Sequence, residues 1–110
     1  MAKHEFAIMD RDPRPGEWYS DYNPVDYYPV VAIDDCYLED VLDKFVGIPF
    51  YWQTLGQPGN CLDYCGVTLI PPGSIPALLA VMRELPGFQP LFPLLEQAKQ
   101  EGKFVIHFGI

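Results

Sequence analysis

The sequence is poor in the residues that carry covalent chemistry. It has three cysteines and two histidines among 110 residues, and Ser20 and Ser74 are its only serines. No glycine-rich phosphate-binding loop and no G-x-S-x-G elbow occurs, which excludes the motif-based signs of nucleotide binding and of α/β-hydrolase chemistry. There are fifteen Asp and Glu residues, but the sequence marks no two of them as an acid–base pair.

Long apolar segments are also missing. No run approaches the roughly 20 apolar residues of a membrane-spanning helix, and segment 1–5 has no apolar signal-peptide core. An odd number of cysteines at irregular spacing is a poor disulfide framework. We therefore expect a cytoplasmic protein that does not bind membranes.

Cys36 is the cysteine whose position most invites a catalytic interpretation, because it lies near a predicted helix start. It follows Asp34 and Asp35 directly, however, and carboxylates raise the pKa of a nearby thiol and so weaken it as a nucleophile. We interpret Cys36 as a small buried apolar residue and expect no catalytic residue in the chain.

Metal binding has little support. Cys61 and Cys65 form a single C-x3-C pair, whereas a structural zinc site needs four ligands, typically from two such pairs. We interpret His107 as a packed histidine with one hydrogen bond, and His4 as incidental. No metal ion and no cofactor is expected.

Negative charge dominates the sequence and is unevenly distributed. The formal net charge is −8 at pH 7. Residues 1–55 contain eleven acids and four bases, a net charge of −7, whereas residues 56–110 contain four acids and three bases, a net charge of −1. Such a field repels nucleic acid and anionic lipid, and it attracts basic proteins. The alternative is that the charge serves solubility alone.

The apolar pattern predicts a small α+β fold. Strands are expected at 4–9, 29–33, 50–53, 64–70 and 103–108, and helices at 35–46, 74–85 and 90–101. The fold class is therefore α+β, a single domain over residues 1–110. We expect a mixed, mostly antiparallel sheet of 4–5 strands, with about three helices packed on one face. The last strand is nearly all apolar, which indicates that it is central or covered on both faces.

Two segments combine acids with large aromatic side chains. Loop 10–28 holds Trp and Tyr between prolines and acids, and segment 34–52 holds a second acid group followed by an aromatic turn. Trp and Tyr dominate interface hot spots, and proline lowers the entropy lost on binding. The predicted partner-binding residues are Glu17, Trp18, Tyr19, Asp21, Tyr22, Asp26, Asp34, Asp35, Glu39, Asp40, Asp43, Tyr51 and Trp52. The alternative is that the loop aromatics anchor the loop to the core.

The second half of the chain resembles a known class of protein. The strand-to-helix junction VTLIPPGS (67–74) and the terminus VIHFGI (105–110) resemble those of small bacterial immunity proteins. The resemblance implies that the chain binds and neutralises a cognate toxin of a polymorphic or contact-dependent system. It also implies a basic, often nuclease, toxin domain.

Two other functions stay open at this point. One is a small enzyme or ligand-binding domain with a pocket between the Cys61–Cys65 turn and the last strand. The other is a structural subunit that oligomerises through exposed aromatics. The oligomeric state does not follow from the sequence.

Overall fold

A computed structural model of the protein describes residues 2–24 and 28–110, in which six strands form one sheet and two α-helices pack against it, an α+β fold. All strand pairs in the described residues are antiparallel, and the strand order is β2-β1-β6-β5-β3-β4. The six strands are β1 (Lys3–Ile8), β2 (Val31–Asp34), β3 (Phe50–Trp52), β4 (Pro58–Gly59), β5 (Val67–Ile70) and β6 (Val105–Phe108).

Strand β6 lies in the interior of the sheet, between β1 and β5. His107 is opposite Phe6 on β1 and Thr68 on β5. Val105 belongs to the larger of two apolar clusters, whereas Ile106 belongs to the smaller. Because side chains alternate across a strand, these clusters lie on opposite faces of the sheet. The prediction of a last strand covered on both faces is confirmed.

Two α-helices cover one face, α1 (Ile75–Arg83) and α2 (Phe92–Glu101). Each has a proline in its first turn, and α2 ends at Gly102, whose φ of 66° is left-handed. Their buried residues pack with the phenylalanines of the larger cluster: Ile75, Leu78, Leu79, Met82, Leu94, Leu95, Ala98, Phe6, Phe45, Phe50 and Phe88. In the described part of the chain, neither helix is long and apolar enough to span a membrane.

Residues from the loop after β1 cover the opposite face. Met9 and Tyr19 are buried against Ala7, Leu69 and Ile106, and Tyr22 packs beside them. The part of the long loop that contains Tyr19 and Tyr22 therefore forms a second layer over the sheet.

The predicted helix at 35–46 is wrong. The segment forms two short 3-10 turns, Asp35–Tyr37 and Leu42–Phe45, held by bonds such as Val41 N to Leu38 O and Lys44 N to Val41 O. Asp, Tyr, Cys and the β-branched Val are weak helix formers, and Gly47 and Pro49 prevent extension. Leu38 and Phe45 are buried, because the apolar spacing still selects an inward face.

The expected counts of strands and helices also need correction. The described residues contain six strands and two α-helices, and the sheet is antiparallel rather than mixed. The missed strand is Pro58–Gly59, two turn-forming residues that pair with Tyr51 and Phe50. Ser74 lies at the start of α1 as predicted, but its hydroxyl donates to the carbonyl of Pro49 instead of capping the helix.

Candidate partner-binding surface

Tyr19 fixes the long loop to the sheet. Its side chain is buried, and its backbone N–H donates to the carbonyl of Gln53 at 2.9 Å. Its hydroxyl accepts from the backbone N–H of Arg14 at 2.7 Å and donates to the Glu17 carboxylate at 3.1 Å. Burial is the main reason why the pKa of Tyr19 is raised. Of the predicted partner residues, Tyr19 is therefore an anchor of the fold.

Tyr22 provides a second attachment. Its ring meets that of Tyr19 edge-on, with centroids 6.1 Å apart, and its hydroxyl donates to Asp10 at 3.1 Å. The Lys103 ammonium in turn donates to the backbone carbonyl of Asp10 at 3.0 Å. The loop is thus held at both ends of the segment that carries Trp18.

Trp18 differs from these tyrosines because it points outward. Its side chain is 56% exposed, the exposed residues Glu17 and Asp21 lie on either side of it in the chain, and a groove of about 190 Å³ adjoins it. Arg11 also lines this groove. The part of the loop held by Tyr19 and Tyr22 therefore presents a large aromatic ring beside two carboxylates and one guanidinium.

A second acidic surface extends from the end of β2 along the segment that forms the two 3-10 turns. We call it the acid face and define it as Asp34, Asp35, Glu39, Asp40 and Asp43. Glu39, Asp40 and Asp43 are exposed, whereas Asp34 and Asp35 are half-buried. Asp34 accepts from the backbone N–H of Cys36 at 3.4 Å and so caps the first turn. Tyr37 and Val46, exposed by 43% and 58%, add apolar area on the same turns.

The charge on the acid face is not neutralised by bases. Among the described residues, ion pairs with Lys or Arg join only Arg83 and Lys99 to Glu96 on α2. Cys36 is exposed, so the prediction that it is buried is wrong. Partial desolvation and the carboxylates of Asp34, Glu39 and Asp35 raise the pKa of its thiol, and this direction is the one that the sequence predicts. The acid face therefore combines an exposed negative field with a weak nucleophile.

The remaining predicted partner residues have other surroundings. Tyr51 is half-buried against the smaller cluster. Trp52 is also half-buried, and its indole N–H donates to the carbonyl of Cys61 at 2.7 Å while its ring lies over Gly59. Asp26 lies outside the described residues. Trp18 and the acid face thus lie at the surface, whereas the other predicted aromatic residues pack on the sheet.

The feature that sequence reasoning missed is a buried polar chain around the two histidines. His4 and His107 are both fully buried, and His4 Nδ1 lies 2.9 Å from His107 Nε2. His4 Nε2 lies 2.9 Å from Asp35 Oδ1, and His107 Nδ1 lies 3.2 Å from Thr68 Oγ1. Thr68 Oγ1 also accepts from the backbone N–H of Asp63 at 2.8 Å.

Tyr64 completes this chain at its outer end. The Asp35 carboxylate raises the pKa of Tyr64 to about 12, and Tyr64 together with His4 holds the pKa of Asp35 below its ordinary value. Burial, with His4 nearby, lowers the pKa of His107 to about 3. We call the set Tyr64–Asp35–His4–His107–Thr68 the polar chain, and Asp35 links it to the acid face.

Strand pairing is what brings these groups together. His4 and His107 are 103 residues apart, on β1 and β6, which pair in the sheet. Both histidines alternate onto the helix-covered face, as their sequence positions indicate. The alternation along each strand therefore already indicated the face on which each histidine lies. Their contact could be predicted only once the strand order was known.

The place predicted for an alternative pocket is closely packed. The Cys61–Cys65 turn meets the end of β6 directly, since Gly109 N–H donates to the carbonyl of Gly66 at 2.7 Å and Ile110 N–H donates to that of Tyr64 at 3.0 Å. The parts of the chain that the structure describes contain no group of three or more His, Cys, Asp or Glu residues that could hold a metal ion.

Comparison with known proteins adds no assignment: no family model, no curated protein and no solved structure is significantly similar to this chain.

Proposed function

We propose that this chain is an immunity-type inhibitor that acts in the cytoplasm by binding and neutralising a cognate, basic bacterial toxin domain. In this proposal it catalyses no reaction. The binding surface consists of Trp18 with Glu17 and Asp21, together with the acid face.

The observation that carries the proposal is the exposed Trp18 on a fixed loop. Large aromatic side chains are costly to leave in water, and Trp is the residue type most enriched in interface hot spots. The anchors Tyr19 and Tyr22 are already ordered, so little conformational entropy is lost when a partner packs on Trp18. The flanking carboxylates would contact Lys or Arg of the partner.

The charge distribution supports the basic partner. The exposed carboxylates Glu39, Asp40 and Asp43 have no Lys or Arg within ion-pair distance among the described residues. Unpaired surface acids repel one another in the free protein, and a basic surface would relieve that repulsion. The same field would speed association, and salt would weaken it.

Protection of growing cells would test the proposal directly. The proposal expects a neighbouring gene to encode a large secreted toxin. The probe is the C-terminal domain of that toxin, expressed from an inducible promoter with or without this chain. We expect co-expression to restore growth, Trp18→Ala to reduce protection, and Asp40→Lys to reduce it more than Glu84→Lys. Glu84 is exposed and lies at the end of α1, so it matches the charge change away from the surface.

Folding controls are needed for these variants. Circular dichroism and thermal melting of each purified variant would separate loss of binding from loss of fold. Failure of the wild-type chain to protect against the neighbouring toxin domain, with both proteins expressed, would overturn the proposal for that pair. Equal protection by Asp40→Lys and Glu84→Lys would overturn the role of the acid face.

A further inference from the structure

The groove beside Trp18 brings aromatic side chains and carboxylates together. Its volume is about 190 Å³, and Trp18, Tyr19 and Tyr22 line it together with Glu17 and Asp21. Ordinary small-molecule sites begin at roughly 300 Å³. The groove therefore suits one long side chain of a partner rather than a ligand of drug size.

The charge of the groove selects a cation. Of the described residues that line it, Glu17 and Asp21 are acids and Arg11 is the only base, two charges against one and a net charge of −1. No ion pair within residues 2–24 and 28–110 joins Arg11 to an acid, or Glu17 or Asp21 to a base. A phosphate or a carboxylate would be repelled here, whereas a positively charged side chain would be attracted.

The groups that line the groove are ordered before anything binds. The Tyr19 side chain is buried, and its hydroxyl donates to the Glu17 carboxylate at 3.1 Å. The Tyr22 ring packs edge-on against Tyr19. Trp18 is 56% exposed between them, so much of its indole is accessible to a partner. Because Glu17 is already oriented by a hydrogen bond, less conformational entropy is lost when a cation binds.

We propose that this groove binds one arginine side chain of a protein partner, with the guanidinium stacked on the Trp18 ring and its N–H groups donating to Glu17 and Asp21. A cation is attracted to an aromatic face, and most strongly to that of Trp. The guanidinium is planar and has five N–H donors, so it can stack and reach carboxylates at its edge at the same time. A lysine ammonium has no planar face and is more strongly hydrated, which makes arginine the preferred occupant.

An arginine site beside Trp18 would be the point at which a basic toxin domain contacts the loop, and that role rests on the proposed function. The preference of the groove for a guanidinium does not depend on the toxin. It can be measured on the free protein with small probes.

Titration of the full ¹⁵N-labelled chain with amino-acid derivatives tests the site. The probes are Nα-acetyl-arginine N-methylamide, the matching lysine derivative and the matching citrulline derivative, which is uncharged but nearly the same shape as arginine. All three are added at the same low ionic strength. ¹H–¹⁵N spectra follow the Trp18 indole and the backbone amides of residues 17–22. The indole of Trp52, whose N–H donates to the carbonyl of Cys61, is the internal reference.

The arginine derivative should cause a saturable change at Trp18 and leave Trp52 unchanged. Its affinity should exceed those of the lysine and citrulline derivatives by about threefold to tenfold, the effect of a cation stacked on an exposed Trp beside carboxylates. The absence of a saturable change, or equal affinity for arginine and citrulline, would overturn the proposal. Equal affinity for arginine and lysine would overturn the assignment of a guanidinium.

Variants with opposite expected effects separate this site from general attraction to an acidic protein. Asp21→Asn should weaken binding of the arginine derivative and Arg11→Gln should strengthen it, each by about twofold to fivefold, because the first removes an attractive charge and the second a competing cation. Trp18→Leu should weaken it by about threefold or more. Glu84→Gln makes the same charge change as Asp21→Asn on the exposed end of α1 and should have no effect.

Thermal melting of each variant shows whether it is folded. Changes of the same sign in Asp21→Asn and Arg11→Gln, or equal losses in Asp21→Asn and Glu84→Gln, would contradict the proposal. If the toxin test fails while the guanidinium preference is observed, the proposed function is wrong and the arginine site stands.

Discussion

The His4 and His107 imidazoles form a hydrogen bond of 2.9 Å in the interior of the sheet, 103 residues apart in the chain. Both histidines are fully buried, and they connect to the surface through Asp35, whose side chain is 16% exposed. One residue of the proposed binding surface is thereby also part of the protein's internal hydrogen bonding. This double role determines how the surface should be mutated.

Asp35 should matter more for stability than its acidic neighbours. Asp35→Ala leaves the buried Nε2–H of His4 without an acceptor, and the unfolding equilibrium constant should rise by about tenfold, the effect of one unpaired buried donor. Asp40→Ala, an exposed neighbour on the same turns, should change it little. Urea denaturation at pH 7 measures both, and equal midpoints would show that the Asp35–His4 bond contributes nothing.

Acid should destabilise the protein through His107. The pKa of His107 is lowered to about 3 by burial, whereas an unfolded histidine has a pKa of about 6.5. Below pH 6.5 the unfolded chain therefore binds the extra proton, and the stability that is complete above pH 6.5 is lost as the pH falls toward 3. The unfolding constant should rise by up to about tenfold per pH unit.

The window from pH 6.5 to 5 separates this effect from the carboxylates, which titrate mostly below it. Urea midpoints measured across that window should fall in the wild type and fall less in His107→Asn. A wild-type midpoint that stays constant down to pH 5 would contradict the assignment of a neutral, buried His107.

The contact between Gly109 and the Cys61–Cys65 turn allows no side chain. A Cβ on Gly109 would overlap the carbonyl oxygen of Tyr64, which is backbone and cannot move aside. Gly109→Ala should therefore cost about 1–3 kcal/mol in unfolding free energy. Gly73→Ala is the matched control, because open space surrounds that position. Thermal melting compares the two, and similar melting temperatures would mean that the turn is not held against β6.

Tyr19 should be needed for the loop rather than for direct contact with a partner. Tyr19→Phe keeps the buried ring but removes the acceptor for Arg14 N–H, at a cost of about 1 kcal/mol. Tyr37→Phe, on an exposed tyrosine, should cost close to nothing. Urea denaturation of both variants checks the difference, and an unchanged midpoint for Tyr19→Phe would show that the loop is held by other contacts.

The fold was predictable from the sequence where one residue pattern determines the structure alone. The central β6 and the apolar stripes of α1 and α2 follow from local spacing of apolar residues. The structure of the segment at 35–46 was not predictable in this way. The spacing of its apolar residues fits one face of a helix, whereas its residue types and the following Gly47 and Pro49 favour tight turns. Pro58–Gly59 carries a turn signal, and only pairing with β3 makes it a strand.

The residue types of the candidate surface were predictable from the sequence, but the positions of their side chains in the structure were not. The loop sequence cannot distinguish Trp18, which is exposed, from Tyr19, which is buried one residue later. Nothing local to His4 indicates His107, because their contact depends on the pairing of the first and last strands. The alternation along each strand is enough to place both histidines on one face once that pairing is known.

The central claim is that Trp18 and the acid face bind a basic toxin domain, and calorimetric titration of that domain tests it most directly. The titrant is the C-terminal domain of the toxin that the proposal expects a neighbouring gene to encode, and it is titrated at about 0.05 M and about 0.5 M NaCl with the wild type, Trp18→Ala, Asp40→Lys and Glu84→Lys. We predict that salt weakens binding by about tenfold or more, that Trp18→Ala costs about 2 kcal/mol or more, and that Asp40→Lys weakens binding more than Glu84→Lys. Binding that is independent of salt and unchanged by Trp18→Ala would contradict the account.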